Sequence, residues 1–235
     1  MANKHYTSNN ITLCDIVENN ICFNIPIYQR LYVWKELQVN KLLEDIYDAY
    51  SRDEDNYYLG GVVTYSNGKK LDLIDGQQRF TTLWLICMVV SSIEPNVCNE
   101  MKCSCGNEEE LRIQFAIRPQ ITKFLISRMK KSKYDDCDTK QVSDVKNMID
   151  AIGNIESLCE DDKRREYLVD FALFLMTKVI LVRTEIPEET DLNKLFELIN
   201  GRGQQLSQTD ILKSHILDLI RKETNGNEDL FIRYG

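Results

Sequence analysis

Leu73-Ile74-Asp75-Gly76-Gln77-Gln78-Arg79-Phe80-Thr81-Thr82 is the stretch whose reading decides the fold. The apolar residues before Asp75 end a strand, Asp75-Gly76 makes a turn, and an apolar helix starts near Gln77 and runs to about residue 92. Free backbone N–H groups at such a helix start favour an anion, and Arg79 adds a planar donor fork suited to phosphate oxygens. Gly76 lets backbone approach a ligand closely. Asp75 is a candidate to hold a divalent cation or orient a water, and Gln77 or Gln78 to position that water. The plain alternative is a common Asp-Gly turn with Thr81 and Thr82 unremarkable near a helix start.

Working outward, residues 60–65 and 71–74 read as two strands joined by the Ser66-Asn67-Gly68 turn. Upstream, Val39, Leu42, Leu43, Ile46, Tyr47 and Tyr50 recur at helical spacing and predict a helix over 36–50. The segment from Phe23 through Pro26 to Tyr28 is extended, because residues before proline avoid helix. Downstream, 96–108 reads as a polar, cysteine-rich loop, followed by helices near 118–131, 142–158 and 163–176 and a strand over 178–186. Leu192, Leu195, Phe196 and Ile199 mark one more short helix, which Asn200-Gly201-Arg202-Gly203 breaks before a helix opened by Ser207. The expected fold is α/β in the broad sense (α+β): a small mixed sheet with helices. Residues 1–95 and 177–235 form its core, 96–176 a helical insertion, and the last segment ends in helices.

Composition sets limits on function. Hydrophobic residues make up 43% and charged residues 28% of the 235, enough for a sizeable core and too apolar for a disordered chain. The 29 basic residues against 37 acidic give a net charge of −8, which excludes a uniformly basic nucleic-acid-coating surface. The longest apolar run, 83–90, is far short of the ~20 residues that span a bilayer, so no membrane role is expected. The polar start MANKHYTSNN does not read as a secretory signal. With it, the irregular spacing of the eight cysteines favours reduced thiols and a cytoplasmic location.

Two further stretches hold candidate site residues. Ile25-Pro26-Ile27-Tyr28-Gln29-Arg30-Leu31-Tyr32-Val33-Trp34 pairs stacking surfaces with a cation on an extended segment; alternatively its aromatics cover the core. Phe196-Glu197-Leu198-Ile199-Asn200-Gly201-Arg202-Gly203-Gln204-Gln205-Leu206-Ser207 places Arg202 between two glycines, a good arrangement for a phosphate contact or simply a helix stop with a solvated arginine.

The three stretches in this order, with the strand YYLGGVV, resemble the domain-of-unknown-function 262 family. Its best-known members are the N-terminal GmrS halves of GmrSD-type modification-dependent restriction endonucleases. The matching segments are IPIYQRLYVW, YYLGGVV, IDGQQRFTTL and FELINGRGQQLSQTDILKS, spanning 25–214. The resemblance implies a ParB/sulfiredoxin-like core whose DGQQR turn binds and hydrolyses a nucleoside triphosphate with Mg²⁺, in GTPase-like fashion. On that basis Asp75, Gln77, Gln78 and Arg79 are the catalytic set, with the metal at Asp75. Gly76, Arg79, Thr81, Thr82, Tyr28, Gln29, Arg30 and Arg202 are nucleotide contacts. DNA is reached through a partner HNH-type nuclease domain or subunit; self-association is left open.

The sequence departs from the pattern in places. Gln77 stands where sulfiredoxins carry their cysteine, which excludes thiol repair. Gly201 stands where the family often has threonine. Gly68-Lys69-Lys70 lacks the glycine spacing and hydroxyl of a P-loop. Cys98, Cys103 and Cys105 form a C-x4-C-x-C run that suits zinc only with a distant fourth ligand such as Cys137, and free thiols in a polar loop are the alternative. The functional readings in competition are a triphosphatase that controls a partner nuclease, a ParB-like clamp or sensor that binds nucleotide or DNA without turnover, and a remnant with structural roles only.

With only His5 and His215, far apart, and no His-Asn-His arrangement, the purified 235-residue chain is expected neither to cut nor to nick DNA. Incubation with supercoiled plasmid and with modified phage DNA in Mg²⁺ or Mn²⁺ checks this; metal-dependent cleavage that survives purification contradicts it.

Overall fold

The computed structural model describes residues 6–26, 29–67, 70–104, 107–116, 119–130, 143–159, 166–187, 189–191 and 195. The chain opens with β1 (Thr7–Ile11) and α1 (Leu13–Glu18), then β2 (Phe23–Ile25) and α2 (Glu36–Ser51). Next come β3 (Tyr57–Asn67), β4 (Lys70–Asp75) and α3 (Gln77–Ile93). A 3-10 turn (Asn99–Met101) leads to β5 (Cys103–Ser104), β6 (Asn107–Leu111) and β7 (Ile113–Phe115). The helices α4 (Pro119–Met129), α5 (Ser143–Cys159) and α6 (Leu168–Thr177) precede β8 (Val179–Ile186). Six strands form one mixed sheet in the order β1-β8-β3-β4-β2-β7, and β5 and β6 pair separately. The fold is α+β, as the alternation of periodicities predicts.

The sheet mixes directions because its neighbours are joined in two ways. β3 and β4 are consecutive and antiparallel, whereas β2 runs parallel to both β4 and β7, and β3 parallel to β8. Helix α3 is buried on nearly every side, which its uniformly apolar sequence requires. It packs against α5, α6 and the 3-10 turn, and its residues from Leu83 to Val90 lie in the main core with Phe23, Val62, Leu73 and Leu181. Successive strand residues point to opposite faces, so Ile74, Val63, Tyr65 and Ile186 form a second, smaller cluster, joined by Leu195.

Several elements differ from expectation. β1 and α1 were not foreseen, although Thr12 caps α1 through a reciprocal capping box with Asp15. The stretch 96–176, read as a helical insertion, also carries three strands, and one of them, β7, is an edge of the main sheet. Its helix α5 lies against α2 and α3. Cys98, expected in a polar loop, is buried beside Cys87. Among the described residues no three metal-ligating side chains cluster; Cys105 and Cys137 lie outside them, as do Gly68, most of the short helix expected around 192–199 and the helix expected from Ser207.

Arg112, between β6 and β7, is only 2% exposed, and its guanidinium meets neutral oxygens. Its Nε donates to the Glu100 carbonyl at 2.7 Å, and Nη1 donates to Asn20 Oδ1 at 3.1 Å and the Ile21 carbonyl at 3.3 Å. The latter two lie just past α1, whose C-terminal end favours a cation. Truncation would deprive these acceptors of the guanidinium and leave its site unfilled. Arg112→Leu is therefore expected to lower unfolding free energy by about 2–4 kcal/mol. A urea melt checks this, and an unchanged midpoint would refute the role.

Candidate functional site: the start of α3

Gly76 is the N-cap of α3 with φ +84°, in the left-handed region that glycine tolerates. A Cβ there would sit 2.8 Å from Val62 Cγ1 and 2.9 Å from the Gly61 carbonyl oxygen. The backbone approach that Gly76 permits is thus to β3 itself. Glycine also offers no side-chain cap, so the first-turn amides of α3 have none. The first turn has no acidic residue either; instead Arg79 occupies it. A cation there opposes the helix dipole, an arrangement that an anion would relieve. Asp75, at the end of β4, is exposed beside it.

The Arg79 side chain is half-buried, and its Nη1 donates to the Gly61 carbonyl at 3.1 Å. Nearby, the Tyr57 phenol is held above its ordinary pKa, first by burial and then by the Asp45 carboxylate, with Arg79 pulling the other way. Arg30 is exposed on the extended segment that crosses the start of α3.

That segment is bound by side-chain amides in place of a strand partner. Gln77 Nε2 donates to the Arg30 carbonyl at 2.9 Å, and Gln78 Nε2 to the Leu31 carbonyl at 2.8 Å. Gln78 Oε1 in turn accepts the Val33 N–H at 2.9 Å. From α5, Asn147 Nδ2 donates to the Tyr32 carbonyl at 2.8 Å. Gln29 Nε2 reaches back to the Ile74 carbonyl at 2.7 Å. The expectation that Gln77 or Gln78 positions a water meets a geometric objection. Both are more than nine-tenths buried, with their N–H groups committed to the chain, and only Gln77 Oε1 lacks a partner.

Thr81 and Thr82, expected to contact nucleotide, are also buried. Thr82 donates its hydroxyl proton to the Gln78 carbonyl, so Tyr32 donates to Thr82 Oγ1, at 2.8 Å. Burial pushes the Tyr32 phenol up to about 12, with the Thr82 bond opposing. Tyr32 is sealed in the core and Trp34 packs against it, so these two aromatics cover the core and do not form a stacking platform. Asp75, Gly76, Gln77, Gln78, Arg79, Gln29 and the Arg30 backbone are brought together. Tyr28 and Arg202 lie outside the described residues. The sequence reading missed Asn147, whose role no local pattern signals, and the paired glycines Gly60 and Gly61, which YYLGGVV does display.

The fold and this helix start define an α+β module with an anion-favouring edge. Residues 13–217 match the family described as GmrSD restriction endonuclease, N-terminal domain. The match covers most of the chain, which therefore belongs to this family and to the modules of DNA-acting restriction systems. A search of curated proteins returns no match. Among the described residues no helix is long and apolar enough to cross a membrane.

Removing the Gln78 amide leaves the Leu31 carbonyl and Val33 N–H without their partner. Gln78→Ala is expected to cost about 1–3 kcal/mol, and to speed hydrogen exchange at Val33 while amides of β3 and β8 stay protected. Uniform acceleration across the sheet, or none at Val33, would count against the clamp.

Proposed function

We propose that this chain binds a nucleoside triphosphate at the start of α3 and hydrolyses it with Mg²⁺, the nucleotide state controlling DNA cleavage by a partner nuclease domain or subunit. The observation that carries the reading is Arg79 in the uncapped first turn of α3, where dipole and guanidinium both call for an anion. Arg79 and the first-turn amides hold phosphate oxygens, Arg30 adds a second cation, and Arg202 a third on the strength of the family pattern. Gln77 and Gln78 act indirectly, by fixing the backbone that carries Arg30.

Mg²⁺ is usually bound through one or two carboxylates together with substrate phosphates and water, and the exposed Asp75 fits that donor set. When bound, the ion would neutralise charge developing on the phosphates. Asp75 would hold the ion or orient water beside it.

A second reading, nucleotide binding without turnover, is favoured by the burial of both glutamines and by the bonds that tie each to the 30–33 backbone. Phosphate release measured with each of the four ribonucleoside triphosphates, with and without Mg²⁺, separates the two. Saturable binding without release selects the clamp.

Arg79→Ala is expected to weaken affinity by about 10- to 100-fold, or ~1.4–2.8 kcal/mol for one charged contact. Asp75→Asn should leave binding within a few-fold and lower the hydrolysis rate far more, because its part lies in turnover. Calorimetric titration and melting curves on both variants check this pattern. Losses in affinity that merely track lost thermal stability would reduce the turn to a helix start.

A further inference from the structure

We propose that Gly60 is a positioning residue for Arg79: the bulge it forms in β3 is a seat that holds the guanidinium at the start of α3, ready for the phosphate oxygens of a nucleoside triphosphate. This rests on the phosphate-binding role proposed above for Arg79.

The parallel register of β3 on β8 steps from Tyr58 opposite Ile180 to Gly60 opposite Leu181, so β3 carries one extra residue, Leu59. Leu59 turns into the core, and the backbone recovers by placing Gly60 at φ +118°. The bulge thereby opens a shelf with no side chain above it. A Cβ on Gly60 would lie 2.7 Å from Arg79 Nη1, 3.2 Å from Cζ and 3.7 Å from Nη2. The guanidinium fills the place that a side chain would take.

One residue on, the Gly61 carbonyl accepts from Nη1, and the same oxygen packs against Gly76. Contact with Gly60 and the bond to Gly61 hold the arginine at two points. A free arginine must lose its rotamer entropy when it meets a phosphate, whereas a seated one has lost much of it on folding. Gly61 itself has room: a Cβ there meets only the Val182 carbonyl oxygen, at 3.8 Å.

The test titrates each of the four ribonucleoside triphosphates, with Mg²⁺, into the full chain and into Gly60→Ala, Arg79→Ala and the Gly60→Ala/Arg79→Ala double variant, with a melt of each. Gly60→Ala should weaken affinity about tenfold when Arg79 is present and less than about twofold when it is absent. An equal loss in both Arg79 backgrounds, or parent-like binding by Gly60→Ala, overturns the proposal.

If the parent chain binds no triphosphate, the phosphate reading fails, and the seat is judged by the melts alone. Gly60→Ala should then destabilise less when residue 79 is alanine, because no guanidinium must be displaced; equal destabilisation overturns the seat. Should Gly60→Ala not fold, recovered folding in the double variant is the expected result, and continued failure overturns it.

Discussion

The primary amide of Gln78 grips the 29–34 segment at two points, and the arrangement of the whole site depends on that grip. A segment that runs extended outside any sheet leaves its backbone groups without partners, which is costly once it is covered. Here the carbonyls of Arg30, Leu31 and Tyr32 are taken in turn by Gln77, Gln78 and Asn147. Side chains supply what a neighbouring strand would otherwise supply, and the two glutamines come from the very turn that carries Asp75 and Arg79. The first turn of α3, the crossing segment and α5 therefore form one hydrogen-bonded unit. Tyr32 completes it by sending its ring into the core and its hydroxyl to Thr82.

The electrostatics of this unit run against the rest of the molecule. A chain of net charge −8 places two arginines beside the positive end of its most buried helix. Local rules of helix design put acids there. Where local and global preferences disagree so openly, function is the usual cause.

Much of the fold was legible in the chain, for reasons that can be named. Helix α2 shows an unbroken 3.6-residue recurrence from Val39 to Tyr50, and α3 follows a turn that only glycine makes easily. The helices of the middle region keep their apolar spacing. What was hidden depended on partners remote in sequence. Strand β7 is three residues long and is defined by β2 beside it. Arg112 between Leu111 and Ile113 looks like a solvated charge until α1 and the 3-10 turn close around it. At the site, Asp75 and Arg79 were readable because their chemistry follows from type and position. The bonds of Gln77 and Gln78 to the 30–33 backbone were not legible, because an amide serves a water or a backbone equally well and the partners lie far away in sequence. Arg202 and Tyr28 lie outside the described residues.

The parallel pairing of β3 with β8 carries a consequence for how the molecule is made. Tyr57 lies opposite Val179 and Val63 opposite Thr184, so these contacts bridge most of the chain. Contacts of such long range raise contact order and slow folding, since loop closure must precede any gain from pairing. On the ribosome, the β3–β4 hairpin emerges well before β8, and until then one edge of β3 is open. The bulge at Gly60 sits on that edge. The pairing that defines the bulge beside Arg79 is thus completed late in biogenesis, and an incomplete nascent chain would present the arginine without its finished shelf.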